Sequence, residues 1–535
     1  MAWWSPARGN YRTRGLKNLA VLEFLCPALK CPTQAKTGLR QATSPFTCKM
    51  SRTCESRGMF MRRRASCAAA SLLLLFCLAT VMAASGQAFT TLADFDYTNG
   101  AGPIAAMIQG FDGNLYGATF SGGAAQLGTL FKISTGGQLS TLYNFCSQAN
   151  CTDGVFPYSV VVQDQSGDFW GTTKGGSPYG FGTVFKITPA GALTTMHSFD
   201  GNDGSQVKAG LTLGSDGNFY GVTSYSGANN GGTVFKITPT GTFTTLHNFN
   251  FSDGNNPVGA LVQAANGDFY GTTLFSGANG GGTIFKMTAA GVLTTLYNFC
   301  SQPNCADGEF PYGTLIQASD GHLYGTTAGG GAISGCGGGS CGTIFKITLA
   351  GALTTLHNFC TESNCLDGGE PIAGLALGTG GVFYGVAAYG GANGSGTAFK
   401  ISSAGKFTLL HAFDGVDGAS PNGGLMQDTN GTFYGTTPTA GPGGYGTVFS
   451  LSTGLRPFVK TNPSSGKVGA AVIILGTNLT GVASVSFNGT TAAFSVVSDS
   501  EIETTVPAGA TSGTVKVVTA TTTTIESNTR FRVTK

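Results

Sequence analysis

Charge is scarce in this sequence. Of its 535 residues, 29 are Lys or Arg and 26 are Asp or Glu. The small formal excess of +3 comes from the first 88 residues, where 13 Lys/Arg stand against two acids, Glu23 and Glu55. Residues 89–535 carry −8 and offer no basic stripe, which argues against a nucleic-acid partner. Histidine is rarer still, with five residues, and neither an H-E-x-x-H pair nor a G-x-S-x-G elbow occurs. No apolar run approaches the length of a membrane span, and no helical period of useful length appears.

Glycine, by contrast, is abundant (85 residues), and it accompanies a repeat. Variants of GTVFKIT begin at Gly128, Gly182, Gly232, Gly282, Gly342, Gly396 and Gly446, at spacings of 54, 50, 50, 60, 54 and 50. Residues 207–249 illustrate one unit: a short apolar strand from Ala209, an Asp216-Gly217-Asn218 turn, a strand from Phe219, a Gly/Asn-rich loop, the strand from Thr233, a turn, and a fourth strand from Phe243 to Phe249. Aromatic and β-branched residues fill the strands and glycine fills the turns. A period near 50 built from four strands predicts an all-β fold, a seven-bladed β-propeller over residues 89–453. The first copy keeps only a fourth strand, Phe89–Phe95, and the last lacks one. The sequence therefore predicts that strand 89–95 pairs with strand 447–452 and closes the ring.

The N-terminus reads as an export signal. Arg62, Arg63 and Arg64 precede a short apolar stretch, Ala68 to Ala79, and small residues follow at Ala83 and Ala88. Residues 59–88 are expected to be a signal peptide cleaved between about Ala83 and Ala88. Residues 1–58 read as an over-long start or a disordered extension. The mature chain is expected to be secreted or extracytoplasmic, with no membrane span and as a monomer.

The eight cysteines of the mature chain form four C-x4-C pairs: Cys146/Cys151, Cys300/Cys305, Cys336/Cys341 and Cys360/Cys365. They lie where loops have lengthened. In an exported chain they predict disulfides, with zinc the rival reading. The third strand carries Lys132, Lys186, Lys236, Lys286, Lys346 and Lys400, and the loop after the fourth strand carries Asp153, Asp203, Asp253, Asp307, Asp367 and Asp417. Six lysines among apolar strand residues need partners or a route to water. The expectation is a repeated ion pair, each lysine with the next such aspartate along the chain; snorkelling is the alternative. Ser450 and Asn99 are then the unpaired leftovers.

Four histidines (His197, His247, His357 and His411) share one position in the fourth strand, which Tyr143, Tyr297 and Ala93 occupy in other copies; this reads as packing. Asp112, Asp216 and Asp320 sit in Asp-Gly turns and need no calcium to explain them. No catalytic, metal or cofactor constellation emerges. In a four-stranded blade, the loop between strands two and three and the loop leaving strand four open on one face. That face carries Phe120, Tyr179, Phe181, Tyr225, Phe275, Tyr389 and Tyr445, either as a ligand surface or as caps over blade interfaces.

After Pro457 the repeat stops, and short Val/Thr/Ser-rich strands with turns every eight to twelve residues predict a β-sandwich over 458–535. Pro463-x-x-Gly466, Gly476-Thr-Asn-Leu479, Val485-x-Phe-x-Gly489, Val506-Pro-x-Gly-Ala510 and Phe531-x-Val533 resemble the IPT/TIG family of immunoglobulin-like domains. The repeats, with D-G-x-x-Tyr-Gly-Thr-Thr and G-T-x-Phe-Lys-Ile, resemble the GloVer tandem-repeat family of extracytoplasmic bacterial proteins. The resemblance implies location and architecture, and no activity. The reading is a non-enzymatic binding or scaffold protein that meets carbohydrate or protein at the cell surface. The alternatives are a propeller-type polysaccharide lyase or hydrolase, and a structural matrix or adhesion component.

Overall fold

A computed structural model describes residues 87–534, apart from 333, 337 and 338, with the side chains of 334–336, 339 and 340 also left aside. The expected extension and signal peptide lie outside the described residues up to residue 86. The protein is all-β. Seven small antiparallel sheets follow one another along the chain; in the first six the strands pair in sequence order, with Val155–Pro157 as an extra strand on the second. The third sheet is representative, with strands Thr212–Leu213, Phe219–Thr223, Thr233–Ile237 and Phe243–Asn248. The first strand of each unit is only two residues long, shorter than the five apolar residues from Ala209 suggest. The residues before it line a cavity instead of pairing.

The seventh sheet is assembled from both ends of the repeat region. Met426–Gln427, Phe433–Thr437 and Thr447–Thr453 are joined by Gln87–Asp94, which pairs antiparallel with Thr447–Thr453. The pairing expected for the first strand is thus present, with Phe89 opposite Leu451.

Packing between sheets follows from strand alternation. Successive side chains on the second strand point to opposite faces, so its aromatic dipeptide serves two neighbours. Tyr220 stacks on Phe269 of the next sheet (ring centroids 4.0 Å apart), and Phe219 meets Trp170 of the previous one (4.3 Å). Tyr116 with Phe169, Tyr324 with Phe383 and Tyr384 with Phe433 repeat the arrangement. Each interface has its own buried cluster, and another cluster places Tyr434 and Val448 of the seventh sheet with Leu115 and Phe131 of the first. The glycine after the tyrosine makes room for the third-strand phenylalanine: a Cβ on Gly221 would stand 2.4 Å from Cζ of Phe235. Burying such a ring contributes roughly 1.5–3 kcal/mol, so the recurring Tyr-Gly and Phe positions dominate the stability of each unit.

Residues 458–534 form a sandwich. One sheet runs Lys460–Asn462, Ala471–Leu475, Glu501–Thr505 and Phe494–Val496; the other runs Thr490–Ala492, Val482–Phe487, Val515–Thr519 and Thr524–Glu526. Val472, Ile474, Val485, Phe487, Ile502 and Val517 meet between them.

Candidate functional site

The turn between strands one and two defines one end of the repeat region. The C-terminal sandwich packs on that end. Phe111 buries against Ile473 and Leu475, Ser500 Oγ donates to Phe111 O (2.7 Å), and Asn462 Nδ2 donates to Gln163 O (3.1 Å). Lys460 is partly buried there and donates to Gln427 O. A cavity of about 510 Å³ remains between these parts.

The third-strand lysines also reach this end, which corrects the expected pairing. Strand three runs antiparallel to strand two, so its fourth residue lies beside the turn that precedes strand two. Lys132 meets Asp112 (2.7 Å), Lys186 meets Asp168 (3.0 Å) and Lys286 meets Asp268 (3.8 Å). Lys236, Lys346 and Lys400 make no ion pair among the described residues and are only partly buried, as snorkelling would have it. The turn acids do more than turn: Tyr116 and Tyr220 donate to Asp112 and Asp216, each at 2.9 Å.

The six loop aspartates lie at the opposite end and pair with the variable fourth-strand position. His197 Nε2 is 2.6 Å from Asp203, His247 2.8 Å from Asp253, His357 3.2 Å from Asp367 and His411 2.6 Å from Asp417. Tyr143 donates to Asp153 (2.7 Å) and Tyr297 to Asp307 (2.8 Å). Histidine and tyrosine are interchangeable here because each presents one polar atom to the same carboxylate. The packing expected of the histidines is present as well, since His197 stacks on Phe243 at 3.8 Å. Ala93 offers no polar atom, and Asn99 stands in place of the aspartate, donating to Asp94 O at 3.2 Å. The missing aspartate at Asn99 thus goes with the missing polar side chain at Ala93, and not with Ser450. Burial pushes Asp253 up, but hydrogen bonds from His247 and the Asn250 amide outweigh it, leaving this carboxyl below its ordinary range.

Disulfides clasp the lengthened loops at this end. Cys146–Cys151, Cys300–Cys305 and Cys360–Cys365 hold Cα atoms 4.1, 4.0 and 4.0 Å apart. Closing so short a loop contributes about 2 kcal/mol in the chain-entropy account. Cys341 is disulfide-bonded, while the side chain of Cys336 is outside the described set. Among the described residues, the groups spaced like metal ligands are Cys341/Cys360/Cys365 and Cys300/Cys305/Glu309. Their sulfurs are tied in disulfides rather than present as thiolates.

Of the expected ligand-face residues, Tyr179, Phe181, Tyr225, Phe275, Tyr389 and Tyr445 are exposed, and Phe120 is half-buried. Three of them cap neighbours: Tyr445 lies on Tyr97 (5.0 Å), Phe120 on Phe156 (5.0 Å) and Phe275 on Phe310 (5.4 Å). Phe120 and Tyr225 also touch Tyr158 and Lys208, which line a cavity of about 320 Å³ built from one segment of every repeat. This channel mouth was missed in the sequence, although a signal was there. The position before each first strand follows a proline in six copies and Val207 in the other. It reads Ile104, Tyr158, Lys208, Val258, Tyr312, Ile372 and Asn422, while its neighbours barely change. Tyr158 and Tyr312 share a hydroxyl–hydroxyl bond (3.1 Å), and the Lys208 ammonium lies 5.1 Å over the Tyr225 ring. Burial, then neighbouring Lys174, holds Lys208 below the usual lysine range. Burial likewise pushes the Tyr312 phenol up, so it stays protonated.

These are tandem β-sheet repeats followed by an immunoglobulin-like domain. The chain belongs to the Gloeobacter/Verrucomicrobia repeat family, whose model matches residues 79–266, 176–364, 216–449 and 306–493, and an IPT/TIG domain matches residues 458–533. No curated protein is detectably similar to it. Among solved structures, a copper-bound fungal alcohol oxidase of the AA5 family is 14% identical, covering 84% of this chain and 100% of that one with a TM-score of 0.50; the likeness is one of fold. A gluconolactonase of Xanthomonas campestris (12% identity, 70% of this chain and 92% of that one, TM-score 0.36) is more distant. So is an auxiliary nutrient binding protein of Bacteroides ovatus (15%, 69% and 77%, TM-score 0.36). Among the described residues, no helix is long and apolar enough to cross a membrane.

Proposed function

We propose that the chain is an exported, non-enzymatic binding or scaffold protein. In this reading residues 89–453 are a closed seven-bladed β-propeller, residues 458–535 are an immunoglobulin-like spacer, and the disulfide-clasped face binds carbohydrate or protein at the cell surface. Closure is supported by the cyclic order of the inter-sheet clusters, including the one that joins the seventh sheet to the first. One observation carries the choice of face. The C-terminal sandwich occupies the turn end, whereas the other end keeps an open mouth with exposed aromatics around it. Repetition weighs against catalysis, because chemistry needs one asymmetric constellation and the loop acids recur in six copies. Nucleic acid is no partner in this reading, and the protein acts as a monomer.

The test is a glycan and envelope-protein binding screen with residues 84–535 and with a Tyr179→Ala/Tyr225→Ala/Tyr389→Ala variant. Loss of a specific ligand at an unchanged melting temperature is expected. Unchanged binding with a lowered melting temperature would mean that these rings only cap the blades.

A further inference from the structure

The channel mouth is the least repetitive part of a repetitive molecule. Its frame recurs in every copy, while the position that opens each lining segment carries Ile twice, Tyr twice, and Lys, Val and Asn once each. Packing alone does not explain that choice. Ile104, Val258 and Ile372 are apolar, but Tyr158, Lys208, Tyr312 and Asn422 place polar groups around a cavity of about 320 Å³. That size falls at the lower end of small-ligand sites, which span ~300–1,000 Å³.

Two of the polar groups lack the partners that burial demands. Lys208 is in none of the ion pairs of the described residues, and neither is Lys174, close enough for its charge to disfavour that of Lys208. Two half-buried ammonium groups therefore repel each other in an otherwise acidic body with no carboxylate paired to either. Each is held against a ring: Lys174 lies 5.6 Å over Phe120, and Lys208 5.1 Å over Tyr225. Cation–π contact orients an ammonium without neutralising it. The Asn422 amide oxygen is likewise buried and without a hydrogen-bond partner. Tyr158 and Tyr312 donate only one hydrogen between them in their mutual bond, leaving the other hydroxyl hydrogen free for a ligand.

We propose that this mouth binds an anionic oligosaccharide, with Lys208 and Lys174 taking the acidic group of the sugar and Tyr158, Tyr312 and Asn422 taking its hydroxyls. The inference rests on the reading that the clasped face binds a surface ligand, and it names the class. An anion placed between the two ammonium groups removes their repulsion and pairs charges already partly stripped of water. The phenols supply donors and acceptors at fixed positions, and the apolar members of the ring offer a surface to the C–H face of a sugar. A neutral saccharide would leave the two cations as they are.

The test uses residues 84–535 and isothermal titration with three probes: tetragalacturonate, a sulfated tetrasaccharide and neutral cellotetraose. The expected result is that one charged probe binds at least tenfold tighter than cellotetraose and loses affinity with added salt. Lys208→Met should weaken it at least tenfold and Lys174→Met should weaken it less, while Lys236→Met at the other end of the repeat region leaves it unchanged. Thermal melts verify folding, and Lys174→Met serves as the decisive variant if Lys208→Met fails to fold. Equal binding of neutral and charged probes, or unchanged affinity in a folded lysine variant, overturns the anionic class and leaves the binding face standing. Binding of an envelope protein but none of the glycans does the same. Absence of any ligand in both screens overturns the inference and the reading beneath it.

Discussion

The imidazole of His411 lies flat on the ring of Phe89, with centroids 3.7 Å apart and planes within 8°. Phe89 also stacks on Phe449, its neighbour across the seventh sheet, at 5.2 Å. One side chain of the first strand therefore joins the sixth and seventh sheets. Replacing Phe89 by alanine removes a half-buried aromatic from this junction and should cost about 2 kcal/mol. Deleting residues 87–94 should do more, since it also strips the hydrogen-bonded edge of Thr447–Thr453. Thermal unfolding of both variants checks this, and an unchanged midpoint for the deletion would contradict a structural role for the strand.

The histidine–aspartate contacts predict a specific tolerance. His247→Tyr should keep wild-type stability, because Tyr297 makes the same contact with Asp307. His247→Ala leaves Asp253 without that partner and should cost roughly 1–3 kcal/mol. Asp253 has a folded-state pKa below its unfolded value, so its contribution is fully present above about pH 4 and is lost as pH falls further, through the lower folded-state pKa. Urea midpoints measured from pH 6 to pH 3 should fall less steeply in Asp253→Asn than in the wild type.

Lys460 predicts the opposite side of the pH scale. Its burial against the repeat region lowers it to about 8, with Asp428 opposing the shift. The unfolded lysine titrates near 10.4, so between these values the unfolded chain holds the extra proton. Stability should rise with pH from about 8 to about 10, by at most ~3 kcal/mol at 1.36 kcal/mol per unit. Lys460→Met should flatten this rise, read as the denaturant midpoint across pH 7.5–10.5.

The export reading predicts a definite mature terminus. The first strand begins at Gln87, where Gln87 pairs with Thr453 and Ala88 with Ser452. Cleavage after Ala83 would keep every pair, whereas cleavage after Ala88 would discard two. N-terminal sequencing of the exported protein should therefore find a first residue at or before Gln87.

The repeat made most of the fold legible. Strands rich in Phe, Tyr and Thr and Gly-containing turns locate each sheet, and the complementary end fragments anticipate the pairing of Phe89 with Leu451. The lysine–aspartate pairing went wrong because spacing along the chain was read without direction. In an antiparallel sheet Lys132 and Asp153 sit at opposite ends, so the lysine finds Asp112 instead. The aspartate's true partner hid in a position shared by histidine, tyrosine and alanine, which looked indifferent to chemistry until Ala93 was set beside Asn99. Lys208 and Tyr312 were passed over because the eye follows what recurs, and their position is informative because it does not.

The seventh sheet has a further consequence for how the chain finds its fold. Phe89-Thr-Thr-Leu92 closely matches Phe243-Thr-Thr-Leu246 and its counterparts, so the first strand could in principle dock on any third strand of the array. Six of those edges are taken by a fourth strand that arrives only a tight turn later, and local closure is fast compared with a search over more than 350 residues. Thr447–Thr453 alone has no such neighbour waiting. The vacancy works as an address, and the chain needs no private code in its first strand to reach the right place.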